Sequence, residues 1–135
     1  MNTTINSKIA NVLFLLRIGV GIVLVMWTIN KFVNPVHAQE IYKGFFFMPA
    51  LGNAVVLGIG ISEAIVVTLF LIGRFKSISY LIVLIMHSAS TLAPVSIYLD
   101  PYGGPTNLLF FAAWPMLAAC IALYYLRDYD TKFTL

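Results

Sequence analysis

Four stretches of the chain, Ile9–Val33, Leu51–Ile72, Ile78–Tyr98 and Thr106–Leu126, are apolar over a length that crosses a lipid bilayer. A helix needs roughly 20 residues to traverse about 30 Å of hydrocarbon, and each stretch supplies them. With 135 residues, 61% of them hydrophobic and 10% charged, the chain carries more apolar surface than a small soluble domain can hide. No stretch alternates polar and apolar positions over the length of a strand, which argues against a membrane β-barrel. The expected fold is all-α: an integral membrane four-helix bundle, one domain over residues 1–135. Its tails and connections leave no room for a soluble catalytic domain. The first stretch is longer than a signal-peptide core and no small-residue cleavage site follows it, so it reads as a retained anchor.

The net charge of +3 is a topology signal, not a nucleic-acid patch, because the basic residues sit at helix ends. One side of the membrane collects Lys8, Arg74, Lys76, Arg127 and Lys132; the other holds Lys31 and Lys43, accompanied by Glu40 and Asp100. The positive-inside rule then puts both termini in the cytoplasm. Cys120 is the single cysteine, so the chain has no dithiol of its own and the residue reads as small packing material.

Turn-forming residues mark the connections. Gly73–Ser77 joins the second and third stretches tightly, and Asp100–Pro105 joins the third and fourth. The segment Asn34–Ala50 is longer and divided: a polar half with His37, Gln39, Glu40 and Lys43 precedes an aromatic half, Phe45, Phe46, Phe47 and Met48. It reads either as a short interfacial helix with an apolar wedge or as an ordinary loop with interface aromatics. Pro94 and Pro115 fall inside the third and fourth stretches and are expected to kink them. Tyr98, Tyr102, Tyr124, Tyr125 and Tyr129 fall near the interfaces.

Three ionisable residues lie deep inside the apolar stretches, away from their ends: Arg17, Glu63 and His87. A charge there is costly unless it is paired, hydrated or neutralised, so each needs a partner or a task. Counting along antiparallel helices puts Arg17 about 12 Å and the other two about 14 Å from the cytoplasmic side, at one level. Arg17, Gly21, Leu24, Thr28 and Lys31 share one stripe of the first helix; Tyr80, His87, Thr91, Pro94 and Tyr98 share one of the third. Asn107, Trp114 and Tyr125 share a face of the fourth, and Gly60 lies one turn from Glu63. Two readings follow. Arg17 and Glu63 form a buried ion pair that fixes helix register, with His87 bonded alongside. Alternatively Arg17, Glu63 and His87 are a catalytic centre that binds a polar headgroup or relays protons, since histidine exchanges them near neutral pH. Lys31 and Asp100 are expected near the outer mouth, as caps or as snorkelling side chains.

A quinone suits such a centre chemically. Its ring would stack on Trp27, Trp114 or Tyr98, its carbonyls would accept from His87 or Arg17, and Lys31 and Asn107 would stand nearer the outer face. A bis-histidine haem is excluded because His87 is the one histidine within a span. One histidine and one carboxylate make a poor metal site, so no metal is expected.

The stretch LLRIGVGIVLVMWTINKFVNP (Leu15 to Pro35) resembles the opening signature of the DoxX-like family of small four-helix membrane proteins. That signature has an arginine and glycine early in the helix and a lysine and D/N-P at its end. Glu63 with Gly73 is similar to the family's second-helix glutamate and glycine, and GPTNLL (Gly104 to Leu109) to the start of its fourth helix. The resemblance spans nearly the whole chain. It implies the fold strongly and the activity loosely, since relatives include a membrane subunit of thiosulfate:quinone oxidoreductase, maturation factors for periplasmic enzymes, and cargo receptors. The leading expectation is a membrane subunit that supports quinone-linked electron transfer, in the cytoplasmic membrane of a prokaryote. Its partners are the lipid bilayer and another membrane or periplasmic subunit or a second copy. The alternative is a non-catalytic assembly factor or structural subunit that docks through its apolar faces and the Phe45–Met48 wedge. A proton-coupled transporter is disfavoured, because four helices enclose too small a pathway.

Overall fold

A computed structural model describes residues 3–135, and every regular element among them is helical. The helices are α1 (Thr3–Val33), α2 (Pro35–Phe45), α3 (Asn53–Leu71), α4 (Lys76–Leu92), α5 (Val95–Leu99) and α6 (Ala113–Tyr125). A 3-10 turn, Asn107–Ala112, runs directly into α6. The spans Thr3–Val33, Asn53–Leu71 and Asn107–Tyr125 are long and apolar enough to cross a membrane; Lys76–Leu92 is apolar but shorter, at 17 residues.

Each long helix turns one narrow stripe inward. On α1 the buried residues are Ala10, Leu13, Arg17, Val20, Gly21, Leu24, Thr28 and Lys31; apart from the adjacent Val20 and Gly21 they advance in steps of three and four, which keeps them on one face. All five positions of the expected α1 stripe are among them. On α4, Tyr80, Val83, His87 and Thr91 do the same, and Pro94 is buried beyond them. Helix α1 packs on α3 and α6, and α4 packs on α3 and α6. Leu13, Val20, Leu24, Val67, Phe70, Tyr80, Val83, Cys120 and Leu123 form the shared core. The lone cysteine is therefore packing material, 2% exposed.

The outer faces are apolar: Val12, Leu15, Ile22, Met26 and Ile29 on α1, Ile61 and Ile65 on α3, and Ile78 and Ile85 on α4 are all exposed. Polar side chains inside and aliphatic ones outside suit contact with lipid chains instead of water.

Helix boundaries follow from identifiable residues. Asn34 caps α2 by accepting from the His37 amide at 3.3 Å, and Pro35 occupies the first helical position, where a missing N–H costs nothing. The segment after α1 is thus a true helix. α3 ends in a Schellman motif: the Gly73 amide donates to Phe70 O at 3.0 Å and the Arg74 amide to Leu69 O at 2.9 Å. Gly73 adopts the left-handed φ of 65° that this motif requires. The third apolar stretch is not one helix. Pro94 separates α4 from α5, so the expected kink is a full interruption. Pro115 lies in the first turn of α6, just past the change from 3-10 to α geometry, where its missing donor is easily tolerated.

Gly21 lets α1 approach α3. A Cβ built there would lie 2.2 Å from Leu71 Cδ2, the far end of a flexible side chain. Alanine is therefore expected to be absorbed by a rotamer change, whereas Gly21→Leu should force the helices apart at a cost of about 1–3 kcal/mol. Unfolding by SDS titration from mixed micelles, followed by circular dichroism, measures this; a leucine variant as resistant as the parent contradicts the close approach.

Candidate functional site

The buried charges form two centres, one at the middle of α1 and one in its last turn. Arg17 and Lys31 are about 21 Å apart along the helix at 1.5 Å per residue, and each has its own acid.

The first centre is closed. Arg17 is wholly buried on α1 and its Nη1 lies 3.3 Å from Asp130 Oδ2, with both side chains at 0% exposure. Nη1 also donates to the Tyr80 hydroxyl at 3.2 Å, and that hydroxyl donates to Asp130 Oδ2 at 2.7 Å. Nη2 donates to the carbonyls of Lys132 at 2.6 Å and Phe133 at 3.2 Å. Lys76 Nζ donates to the Asp130 carbonyl. Beneath the guanidinium lies Gly73, where a Cβ would meet Arg17 Nη1 at 2.3 Å. Glycine is thus required at this turn twice over, for its φ and for the space. Arg17 is held against the α3–α4 turn and the segment that follows α6, not at the level of Glu63.

The second centre joins α1 to α3. Lys31 Nζ lies 2.7 Å from Glu63 Oε2, and each side chain retains 9% exposure. The Thr28 hydroxyl stands 2.9 Å from Glu63 Oε1 and 2.8 Å from the Leu24 carbonyl, either of which can accept its proton. Lys31 also donates to the Trp27 carbonyl at 3.3 Å. Gly60, one turn from Glu63, keeps the helices close: a Cβ there would touch Lys31 Cβ at 3.3 Å and the Phe32 ring at 3.1 Å. Tyr42 on α2 lies near enough to Glu63 to feel its charge. Its phenol is shifted upward, first by burial and then by that carboxylate. Trp27 is exposed and stacks on His37, with centroids 6.1 Å apart.

His87 belongs to neither centre. Its Nε2 lies 3.0 Å from the Ala113 carbonyl at the start of α6, and its own carbonyl accepts from Thr91 at 2.7 Å. It is 11 residues past the start of α4, and Glu63 is 10 before Gly73, so the two do share a depth of about 15–17 Å from the turn. They nonetheless use different partners.

Several expectations change. Arg17 and Glu63 do not pair; Asp130 and Lys31 take those roles. Lys31 is a buried ion-pair partner and not a snorkelling residue. Asp100 is exposed, and its carbonyl receives the Gly103 amide at 3.2 Å and Asn107 Nδ2 at 2.7 Å, so it caps its own turn. Trp114 and Tyr125 are exposed, because α6 turns Cys120 and Leu123 inward. The expected quinone-contacting residues fall into separate groups. Trp27 adjoins Lys31, Tyr98 packs on Trp114 at 5.6 Å and Phe111 at 5.2 Å, and Asn107 is engaged at the Asp100 turn. In the aromatic wedge, Phe45 packs on Phe110 at 5.8 Å and Phe46 on Tyr42 at 5.8 Å. Phe47 stands 90% exposed with a φ of 53°.

Asp130 and Tyr42 escape sequence reasoning because neither lies within an apolar stretch. A signal was present for Asp130: only five acidic residues exist to neutralise a buried arginine.

Compared with protein-family models, curated proteins and solved structures, the chain matches none.

Proposed function

We propose that the chain is an integral membrane protein of four spanning segments, and that it serves as a DoxX-type subunit supporting quinone-linked electron transfer. Its working polar centre is Lys31–Glu63 with Thr28 and Tyr42, and catalysis is shared with a partner subunit. The fourth span is α4 followed by α5, interrupted at Pro94. The terminal parts of the chain meet, since Lys132 Nζ donates to Asn11 Oδ1 at 2.7 Å and Phe133 packs on Phe14 at 5.1 Å. That supports placing both termini on one side, and the basic residues beside them support the cytoplasmic side of a prokaryotic membrane.

One observation carries the assignment of the site. Of the two buried ion pairs among the described residues, Lys31–Glu63 alone keeps an opening, 9% against none for Arg17–Asp130. A carboxylate, an ammonium and a hydroxyl meet there, with the Tyr42 phenol near the carboxylate and Trp27 exposed one turn before Lys31, a set that suits a quinone headgroup. The order and spacing of the DoxX-like motifs support the same reading. A second reading, a non-catalytic assembly or structural subunit, is favoured by the full burial of the Arg17–Asp130 pair and by the bare Phe47.

Quenching of tryptophan fluorescence by a short-tailed quinone, with the protein in lipid nanodiscs, separates the two. The quinone reading expects saturable quenching that disappears in Trp27→Phe and is weakened about tenfold or more in Glu63→Gln, which removes the charge but keeps the shape. Quenching that rises linearly with quinone and ignores both substitutions reflects partition into lipid alone and leaves the assembly reading.

A further inference from the structure

Asp130–Leu135 forms no helix and crosses the end of the bundle beside the α3–α4 turn. Asp130 is wholly buried, yet Thr131, Lys132, Phe133 and Leu135 are exposed. Its attachments centre on Arg17, with Tyr80 and Lys76 also bonded to Asp130. Arg17 takes the Asp130 carboxylate and the carbonyls of Lys132 and Phe133. The remaining contacts are the Tyr80 hydroxyl to Asp130 Oδ2 at 2.7 Å, Lys76 Nζ to the Asp130 carbonyl, the Leu135 amide to Ile72 O at 3.0 Å, Lys132 Nζ to Asn11, and the Phe133 ring on Phe14.

Two features weaken this closure. Arg17 Nε and Asp130 Oδ1 are buried with no hydrogen-bond partner, so the ion pair is incompletely satisfied. Phe133 holds a left-handed φ of 49°, which is costly for a bulky residue. An open cleft of about 620 Å³ of mixed polar and apolar lining lies alongside, between Asn6–Asn11 of α1 and Asp128–Lys132, so the segment itself makes one of its walls.

We propose that Asp130–Leu135 is a displaceable strap that lifts as a unit while the helices stay packed, with Arg17–Asp130 as its latch. Lifting widens the cleft and joins it to the Arg17 guanidinium and the Tyr80 hydroxyl, beside Lys76. The end of the bundle then presents cationic groups that the strap otherwise neutralises. The helices stay together because their contacts lie among the core side chains of α1, α3, α4 and α6, to which the strap contributes none.

Thr134 reports on the strap, because it packs on Gly73 at 2.5 Å from the position of a Cβ there. The test is the rate of N-ethylmaleimide labelling of Thr134→Cys in a Cys120→Ser background in nanodiscs, with helix content followed by circular dichroism. Adding Asp130→Asn is expected to speed labelling about tenfold or more with helix content and melting unchanged. Phe133→Ala, which leaves the latch charges in place, is expected to speed it less and also leave the helices intact. An unchanged labelling rate in Asp130→Asn overturns the latch. Faster labelling that is matched by loss of helix content or a lowered melting temperature, in either variant, makes the segment ordinary core and overturns the strap.

Discussion

Lys31→Met is expected to lower the stability of the folded chain by about 3–5 kcal/mol, because it strands the Glu63 carboxylate among apolar side chains. Thr28 then remains as a neutral hydrogen-bonding neighbour of Glu63, and one hydroxyl contributes only about 1 kcal/mol. The double variant Lys31→Met with Glu63→Leu removes both charges at similar volume and is expected to recover most of the loss, since replacing a whole buried pair is often neutral. The measurement is a double-mutant cycle on SDS unfolding from mixed micelles, read by circular dichroism. Additive losses in the cycle show that the two residues act separately, and the ion pair then has no part in holding α1 to α3. Recovery in the double variant also separates stability from activity, because a centre that works on quinone stays inactive once both charges are gone.

Phe70→Ala is expected to cost about 2–3 kcal/mol. In lipid surroundings the transfer of apolar surface from water contributes little, so the loss is that of packing. Emptying roughly 100 Å³ at about 24 cal/mol per Å³ sets this scale. Phe70 is 1% exposed and meets the Tyr80 ring edge-on with centroids 5.0 Å apart. Its loss therefore also loosens the tyrosine whose hydroxyl holds Asp130. Ile85→Ala, on the exposed face of α4, is the control and should fall within about 0.5 kcal/mol of the parent. Equal losses at the two positions in the SDS titration contradict the assignment of which face of the bundle is interior.

The parts of this fold that sequence makes legible are those governed by hydropathy and by helical period. The α1 stripe through Arg17, Thr28 and Lys31 follows from spacing alone, because side chains three and four apart share a face whatever the partner. Spacing does not choose among partners. Arg17 and Glu63 match in charge and in estimated depth, yet Arg17 turns toward the α3–α4 turn, where the Gly73 geometry leaves space for its guanidinium. The estimate measured depth at Cα, whereas an arginine side chain reaches toward its helix N-terminus by several ångströms. Asp130 was hidden for a different reason: an irregular segment has no period from which its contacts can be read. The break at Pro94 was visible as a proline but its extent was not, because neighbouring groups in a bundle decide whether a helix bends or stops.

The reach of the Arg17 contacts has a consequence for biogenesis. Arg17 and Lys132 are 115 positions apart, whereas Thr28 and Glu63 are 35 apart. At a synthesis rate of about 5–20 residues per second, the Asp130 segment is made roughly 6–23 s after the arginine it neutralises. On the proposed membrane insertion, Arg17 lacks its carboxylate for that interval and needs a temporary anion or the headgroup region, whereas the residues of the Lys31–Glu63 pair are made close together. If the chain inserts as proposed, a nascent chain arrested before Asp130 is expected to carry an unshielded Arg17 that crosslinks to the insertion machinery or to anionic lipid.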